Sequence, residues 1–454
     1  MNFFSPKLQK LKILLVMLMG YSSLGYAARY SGHARIGVIS STVSYSEPIQ
    51  EETSNDVTAI SSRLYLLGEG VYKKNDEVVV DIRDKYDFFG TSDAALLTFE
   101  PKNTLKIRQL AYRQPWQQNR TFYTAGRFSI PEAGIISNDG GSYGYRLSRR
   151  LRIAGFLGIA PEDVVSPVSV SAETRGFDGN QGGVYAVYQK ENVARMDTMY
   201  LVNALAQAPS FELDEFVNHV YFFHQGLMNF GQKHRVSTFL NTDIMPSFSI
   251  RQAHITHGFY QSRYRVRSSL TRITAEDYRL KKDIRDDLEP STLTTLKSKA
   301  KYRFDRDTNF DLGLEYGQRA ADGLSKTVIE FGATYRKLMK RRLILGAHYG
   351  IKNNYLSDDN YLKVSSLYYQ NLYSVAASFS MVTENFDSGE SVNPTIISLE
   401  GSYYRSDKLR GSLSYSMSSA ADRSVNTMML SVAYNIGTVS TSPTRRRAAN
   451  FEDL

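Results

Sequence analysis

Apolar residues alternate with polar or small ones along most of this chain. In the stretch 327–350, "TVIEFGATYRKLMKRRLILGAHYG", Ile329, Phe331, Ala333 and Tyr335 share one face. Glu330, Gly332, Thr334 and Arg336 share the other. After a basic turn, Leu343, Leu345, Ala347 and Tyr349 lie opposite Ile344, Gly346, His348 and Gly350. Successive side chains of a strand point to opposite faces of its sheet, so each run predicts a strand with one apolar side. The same pattern recurs at Phe310–Tyr316, Ile397–Tyr403, Leu409–Met417 and Met428–Tyr434, and earlier at Tyr143–Leu147 and Leu151–Ile159. "NDGG" at 138–141, "DRDTN" at 305–309, "SDKL" at 406–409 and "AADRS" at 420–424 predict turns between them.

The apolar faces need a protein core or a lipid bilayer. Roughly 18–22 such segments are expected, each about ten residues long, the length a tilted strand needs to cross the hydrocarbon layer. Their apolar faces tend to carry a tyrosine near one end. In a hairpin Tyr335 and Tyr349 fall at opposite ends, as two interfacial aromatic girdles require. A soluble β-sandwich shares the alternation but not the uniform strand length or the terminal tyrosines.

The remaining composition narrows the setting. Lys7, Lys10 and Lys12 precede an apolar run from Ile13 to Met19 and a small-residue stretch ending at Ala27, the layout of a cleavable secretory signal over 1–27. The apolar run is short for a membrane anchor. Removing three lysines and no acid takes the net charge from +9 to +6. That mild basicity favours anionic partners without implying nucleic acid. The chain has no cysteine, so no disulfide staples it. No later run of about 18 apolar residues occurs, so a membrane crossing requires a closed barrel.

Strand length, alternation, interfacial tyrosines and the export signal together resemble the porin-like outer-membrane β-barrels of Gram-negative bacteria, over about residues 29–436. The resemblance implies an all-β, antiparallel up-and-down transmembrane barrel at 28–437 and a polar tail at 438–454. It also implies outer-membrane lipid, small hydrophilic solutes and the barrel-assembly machinery as partners, and no cofactor. Such barrels commonly end on an aromatic residue read during assembly. Tyr434 fits that role, with "NIGTVSTSPTRRRAANFEDL" behind it.

Three loops stand out, at 45–57, 162–183 and 274–290. The last predicts a short helix, with Thr274 and Asp277 at its start, Leu280, Ile284 and Leu288 on one side, and Pro290 at its end. Residues 212–228 fit a helix or a strand. Read as a strand like its neighbours, that segment turns Val217, Tyr221 and Phe223 toward lipid.

Chemistry-bearing motifs are sparse. His254 and His257, three apart on a strand, point to opposite faces and cannot converge on a metal. No Gly-x-Ser-x-Gly elbow marks a nucleophile. The notable feature is charge on the polar faces. Lys297, Lys299, Lys301 and Arg303 form a basic ladder, Arg265 and Arg267 lie on another strand, and Arg127, Arg146 and Arg152 fall opposite apolar faces. Asp311 and Glu315 follow on the next strand. Basic rings lining a pore favour anions, because they offset an anion's lost hydration. A three-residue loop at Arg306–Thr308 is expected to pair Arg303 with Asp311 and Lys299 with Glu315, leaving Lys297 and Lys301 without opposing acids. A passive channel is the leading expectation, against a barrel that binds partners through its surface loops or a barrel hydrolase.

Overall fold

A computed structural model describes residues 29–45, 54–73, 75–87, 103–116, 119–134, 136–161, 179–192, 197–212, 215–275, 291–355, 357–386, 389, 391–404, 408–420 and 423–436. The expected signal segment at 1–27 and the expected tail at 438–454 lie outside the described residues. So do 276–290, which hold nearly all of the expected loop helix.

The described chain is a succession of strands. The first are β1 (Arg29–Tyr45), β2 (Ser54–Glu69), β3 (Glu77–Asp87), β4 (Asn103–Gln114), β5 (Thr121–Ile130) and β6 (Ile136–Arg146). Then come β7 (Leu151–Ile159), β8 (Asn180–Asn192), β9 (Asp197–Glu212), β10 (Glu215–Phe230), β11 (His234–Met245) and β12 (Ser249–Tyr260). β13 (Tyr264–Ala275), β14 (Ser291–Arg303), β15 (Thr308–Arg319), β16 (Ser325–Lys337), β17 (Leu343–Asn353) and β18 (Ser357–Tyr369) follow. The last are β19 (Tyr373–Phe386), β20 (Ser391–Val392), β21 (Thr395–Tyr404), β22 (Leu409–Ser419) and β23 (Arg423–Ile436). β20 is a two-residue stub beside β19, set off from β21 by Asn393 and Pro394. Proline lacks the N–H a ladder needs, so the strand breaks there.

The other 22 strands pair antiparallel in sequence order, and β1 pairs with β23 to close the ring. Closure leaves no unpaired edge. The even number returns both ends of the ring to one side. On that side the connections stay short, as at 231–233, 261–263 and 370–372. On the other side they include 46–53, 88–102, 160–179 and 276–290. Short turns at one end and long loops at the other are the usual asymmetry of single-chain membrane barrels.

Several local expectations shift. Residues 215–228 are strand, as read, but Tyr221 and Phe223 face the barrel interior, Phe223 at 2% exposure. Thr274, the expected helix start, pairs with Thr292 across β13 and β14. β2 starts at Ser54 and β8 at Asn180, so the ends of two expected loops are strand. "NDGG" is not a turn but part of β6. A side chain at Gly140 would place its Cβ 2.2 Å from the Leu157 carbonyl oxygen, and neither Gly140 nor Gly141 has a positive φ. These glycines serve close strand approach, and the chain reverses earlier, through a 3₁₀ turn at Pro131–Ala133 and Gly134, whose φ is +85°.

The β14–β15 hairpin keeps the expected parity and a three-residue loop, moved by one residue. Arg303 pairs with Asn309, Lys301 with Asp311 and Lys297 with Glu315. Asp305 sits inside the loop, where its Oδ1 accepts the N–H groups of Asp307 (2.7 Å) and Thr308 (2.6 Å). These donors hold its carboxyl below the usual aspartate range. An aspartate that hydrogen-bonds the backbone two residues on belongs in the turn, and that fixes the register.

Leu345 is on the outer face and His348 on the inner, beside Asp311 at 3.4 Å. Leu345→Arg is expected to cost about 2–4 kcal/mol in a bilayer, against little for His348→Arg. Urea unfolding in liposomes measures both, and equal losses would contradict the face assignment.

Candidate functional site: the barrel interior

Register carries the face of one strand to the next, so the outer surface can be followed around the ring. Leu151, Ile153, Leu157 and Ile159 of β7 point outward, Leu157 at 75% exposure. Leu296, Phe310, Leu314, Phe331, Leu345 and Leu399 continue the surface. At the short-turn end it becomes aromatic. Tyr264 stacks on Tyr302, Phe304 meets Phe310 edge-on, and Tyr368 lies against Tyr373. An apolar belt of this extent is not tolerated in water, where monomers rarely expose more than a few hundred Å² of continuous apolar surface. A hydrocarbon layer bounded by interfacial aromatics covers it. The chain is a transmembrane β-barrel.

Its polar exceptions on the outer face are self-satisfied. His224 bonds Asn203 Oδ1 through Nδ1 and Thr238 Oγ1 through Nε2, each at 2.9 Å. His257 and Phe259 of β12 lie outward against His234, while His254 points inward to Thr271. The two histidines of the His-x-x-His pair thus lie on opposite faces.

Comparison with known proteins adds the general shape alone. No protein family and no curated protein matches the sequence. Among solved structures, the chain is similar to a BenF-like porin from Pseudomonas fluorescens Pf-5, at 10% identity over 91% of this chain and 99% of that one, TM-score 0.45. It is also similar to Acinetobacter baumannii OccAB3, at 9% identity over 90% and 99%, TM-score 0.40. The P pilus usher PapC translocation pore gives 9% identity over 90% and 100%, TM-score 0.47. At these scores the likeness bears no further conclusion.

The interior divides into two unlike parts. Along β4–β10 the inner face is apolar and packed, with Phe122, Phe156, Val187, Val202 and Phe223 in one cluster. The turn between β5 and β6 leans onto it. The Tyr221 hydroxyl donates to the Ala133 carbonyl at 2.9 Å, and Gly134 lies against the Phe223 ring. Beside them Gln181 Nε2 donates to the Ser137 carbonyl at 2.6 Å and to Asn138 Oδ1 at 2.9 Å. Arg152 joins this packed part: it bonds Glu132 at 3.2 Å and lies over the Trp116 ring at 4.0 Å. Glu132 and Trp116, unflagged by pattern, come from the two turns that flank β5. Trp116 is the single tryptophan of the sequence, the one signal that could have drawn notice to it.

Arg127 requires a correction. It pairs with Leu110, and its partner Asp139 pairs with the outward Ile159, so Arg127 is on the outer face. It holds Asp139 through two bonds of 2.7 and 2.6 Å. Phe128 and Ile130 beside it look lipid-facing in sequence but are buried inside the barrel, which reverses the expected parity of β5.

From β12 onward the inner face is mostly polar, with Val328 and Ile344 among its apolar exceptions. Arg265, Arg267, Lys297, Lys299, Lys301, Arg303, Asp311 and Glu315 all take inward positions, and Arg146 pairs inward with Arg152. Glu315 is shared by Lys297 (3.1 Å) and Lys326 (2.9 Å). Glu330 accepts the Tyr361 hydroxyl at 2.7 Å, and Lys352 pairs with Asp359 at 2.8 Å. Farther round, Ser378, Ser398, Ser412, Ser414 and Ser416 line β19–β22. Short hydroxyl side chains leave space and offer hydrogen bonds without fixed charge.

Arg152→Ala is expected to leave the half-buried Glu132 unpaired and to remove a buried cation from the packed wall, at a cost of about 3 kcal/mol in urea unfolding. An unchanged midpoint would show that this pair does not hold the β5–β6 turn to the wall.

Proposed function

We propose that this barrel is a porin-like channel of the bacterial outer membrane, passing small hydrophilic solutes by passive diffusion with a preference for anions. The observation that carries the reading is the polar inner face of β12–β23, enclosed by a ring whose outer face is apolar. The packed wall at β4–β10 restricts the passage to that polar part. Export through a cleavable segment at 1–27 and recognition of β23 at Tyr434 by the assembly machinery belong to the same reading. An outward aromatic close to the end of the last strand supports the second.

The register relocates the expected seat of selectivity. Lys297 and Lys301 face Glu315 and Asp311, whereas Lys299 faces Gly313 on one side and Arg267 on the other. Lys299 and Arg267 are therefore mid-ladder positions with no acid directly across, as are Arg265 and Arg303 nearer the short-turn mouth. Purified protein in planar bilayers is expected to give discrete conductance steps. Under a salt gradient, the double change Arg267→Glu and Lys299→Glu is expected to move the reversal potential toward cations, and Lys297→Gln to move it little. Folded protein without conductance would rule out the channel reading. Equal shifts from both variants would rule out this assignment of selectivity.

A further inference from the structure

The basic positions of β13 and β14 are set against one another. Arg265 is paired with Lys301 and Arg267 with Lys299. The Arg263 carbonyl accepts the Arg303 N–H at 2.6 Å, which makes a third row of the same kind. Cation thus meets cation in three successive rows of the inner face. Directly opposed like charges destabilise a sheet, because their Cβ atoms are only about 5 Å apart. Acids on β15 offset part of this, Asp311 opposite Lys301 and Glu315 opposite Lys297, but Arg303 meets Asn309 and Lys299 meets Gly313.

The rows run toward the short-turn mouth, where the turns after β12 and β14 close over a cleft. Its lining includes Arg263, Arg265, Lys301, Arg303, Arg306 and Arg336, and no carboxylate among the described residues. The nearby Asp305 carboxylate is engaged by the turn itself, including the Thr308 hydroxyl at 3.2 Å. Arg336 adds an independent sign: its Nε is shut off from solvent and has no hydrogen-bond partner. Buried donors are nearly always satisfied, so an orphan on a residue that lines a cationic cleft marks a missing acceptor.

We infer that this cleft binds a linear polyphosphate-type anion, several phosphate groups joined in one chain. Guanidinium forks match the paired oxygens of oxyanions, and the five arginines come from three strands and two turns around one space. Alternate residues of a strand are about 7 Å apart, so three rows extend about 14 Å. That exceeds a single tetrahedral anion and suits a chain that neutralises one row after another. The site does not depend on conduction.

Calorimetric titration of the full chain in detergent at low salt tests it, with sodium tripolyphosphate and orthophosphate as probes. Tripolyphosphate is expected to bind one per chain, at least about tenfold tighter than orthophosphate. Arg265→Ser with Arg303→Ser is expected to weaken it at least about tenfold. Arg410→Ser, on β22 across the ring, is expected to change nothing. Heat-modifiable migration in SDS checks that the variants fold. If the double variant does not, Asn309→Asp, which adds a carboxylate to the cleft at constant size, is expected to weaken binding in its place. Equal affinity for the two anions, or an equal loss from Arg410→Ser, overturns the site. A conducting protein that binds no tripolyphosphate overturns the site and leaves the channel reading standing, whereas binding without conduction does the reverse.

Discussion

Everything in this barrel depends on the closing ladder between β1 and β23. Gly32 to Tyr45 pair in unbroken register with Ile436 to Arg423, so the first and last strands have no free edge. In hydrocarbon an unpaired N–H or C=O costs several kcal/mol, and a closed ring is the only arrangement of strands that satisfies them all. Closure also fixes parity. A slip of one residue would turn Ile36, Val38, Leu430 and Val432 inward and their neighbours Arg35 and Ser431 toward lipid. The faces of 22 strands are coupled through that condition.

Coupling explains how one fold carries two different interiors. Where both faces of the strands are apolar, at β4–β10, the inner face has no water to hold and packs against the β5–β6 turn as a soluble protein core would. The Arg152–Glu132 pair, with the arginine buried, and the Asn138–Gln181 contact satisfy polar groups trapped there. Where the inner face is mostly charged or hydroxylic, from β12 onward, no such apolar cluster forms among the described residues. The basic rows of β13 and β14 fall at the start of this polar part, and the serine-rich strands lie farther round the ring.

Much of this was legible in the sequence, because lipid on one side and water on the other impose a strict alternation. The faces of β7, β15, β16, β17, β22 and β23 follow from it directly. Alternation fails as a guide where the inside is apolar too. Phe128, Tyr221 and Phe223 look like lipid-facing residues and are core, and Arg127 was misplaced with them. Turn position was the other weak point. Parity excluded a two-residue loop between β14 and β15, but the carboxylate of Asp305, bonded to backbone N–H groups, chose between the remaining three-residue loops. That choice decides which lysines meet acids. Glu132 and Trp116 meet Arg152 only because a turn folds inward, a contact without any periodic signature.

The absence of native cysteine allows a direct reading of the two faces. Single cysteines at positions 310 to 315 of β15, in protein reconstituted into liposomes, can be challenged with a membrane-impermeant maleimide. Labelling is expected at 311, 313 and 315, with 310, 312 and 314 protected until detergent removes the lipid. Uniform labelling along the strand, or protection of the odd positions instead, would contradict a barrel with lipid outside and an aqueous passage within.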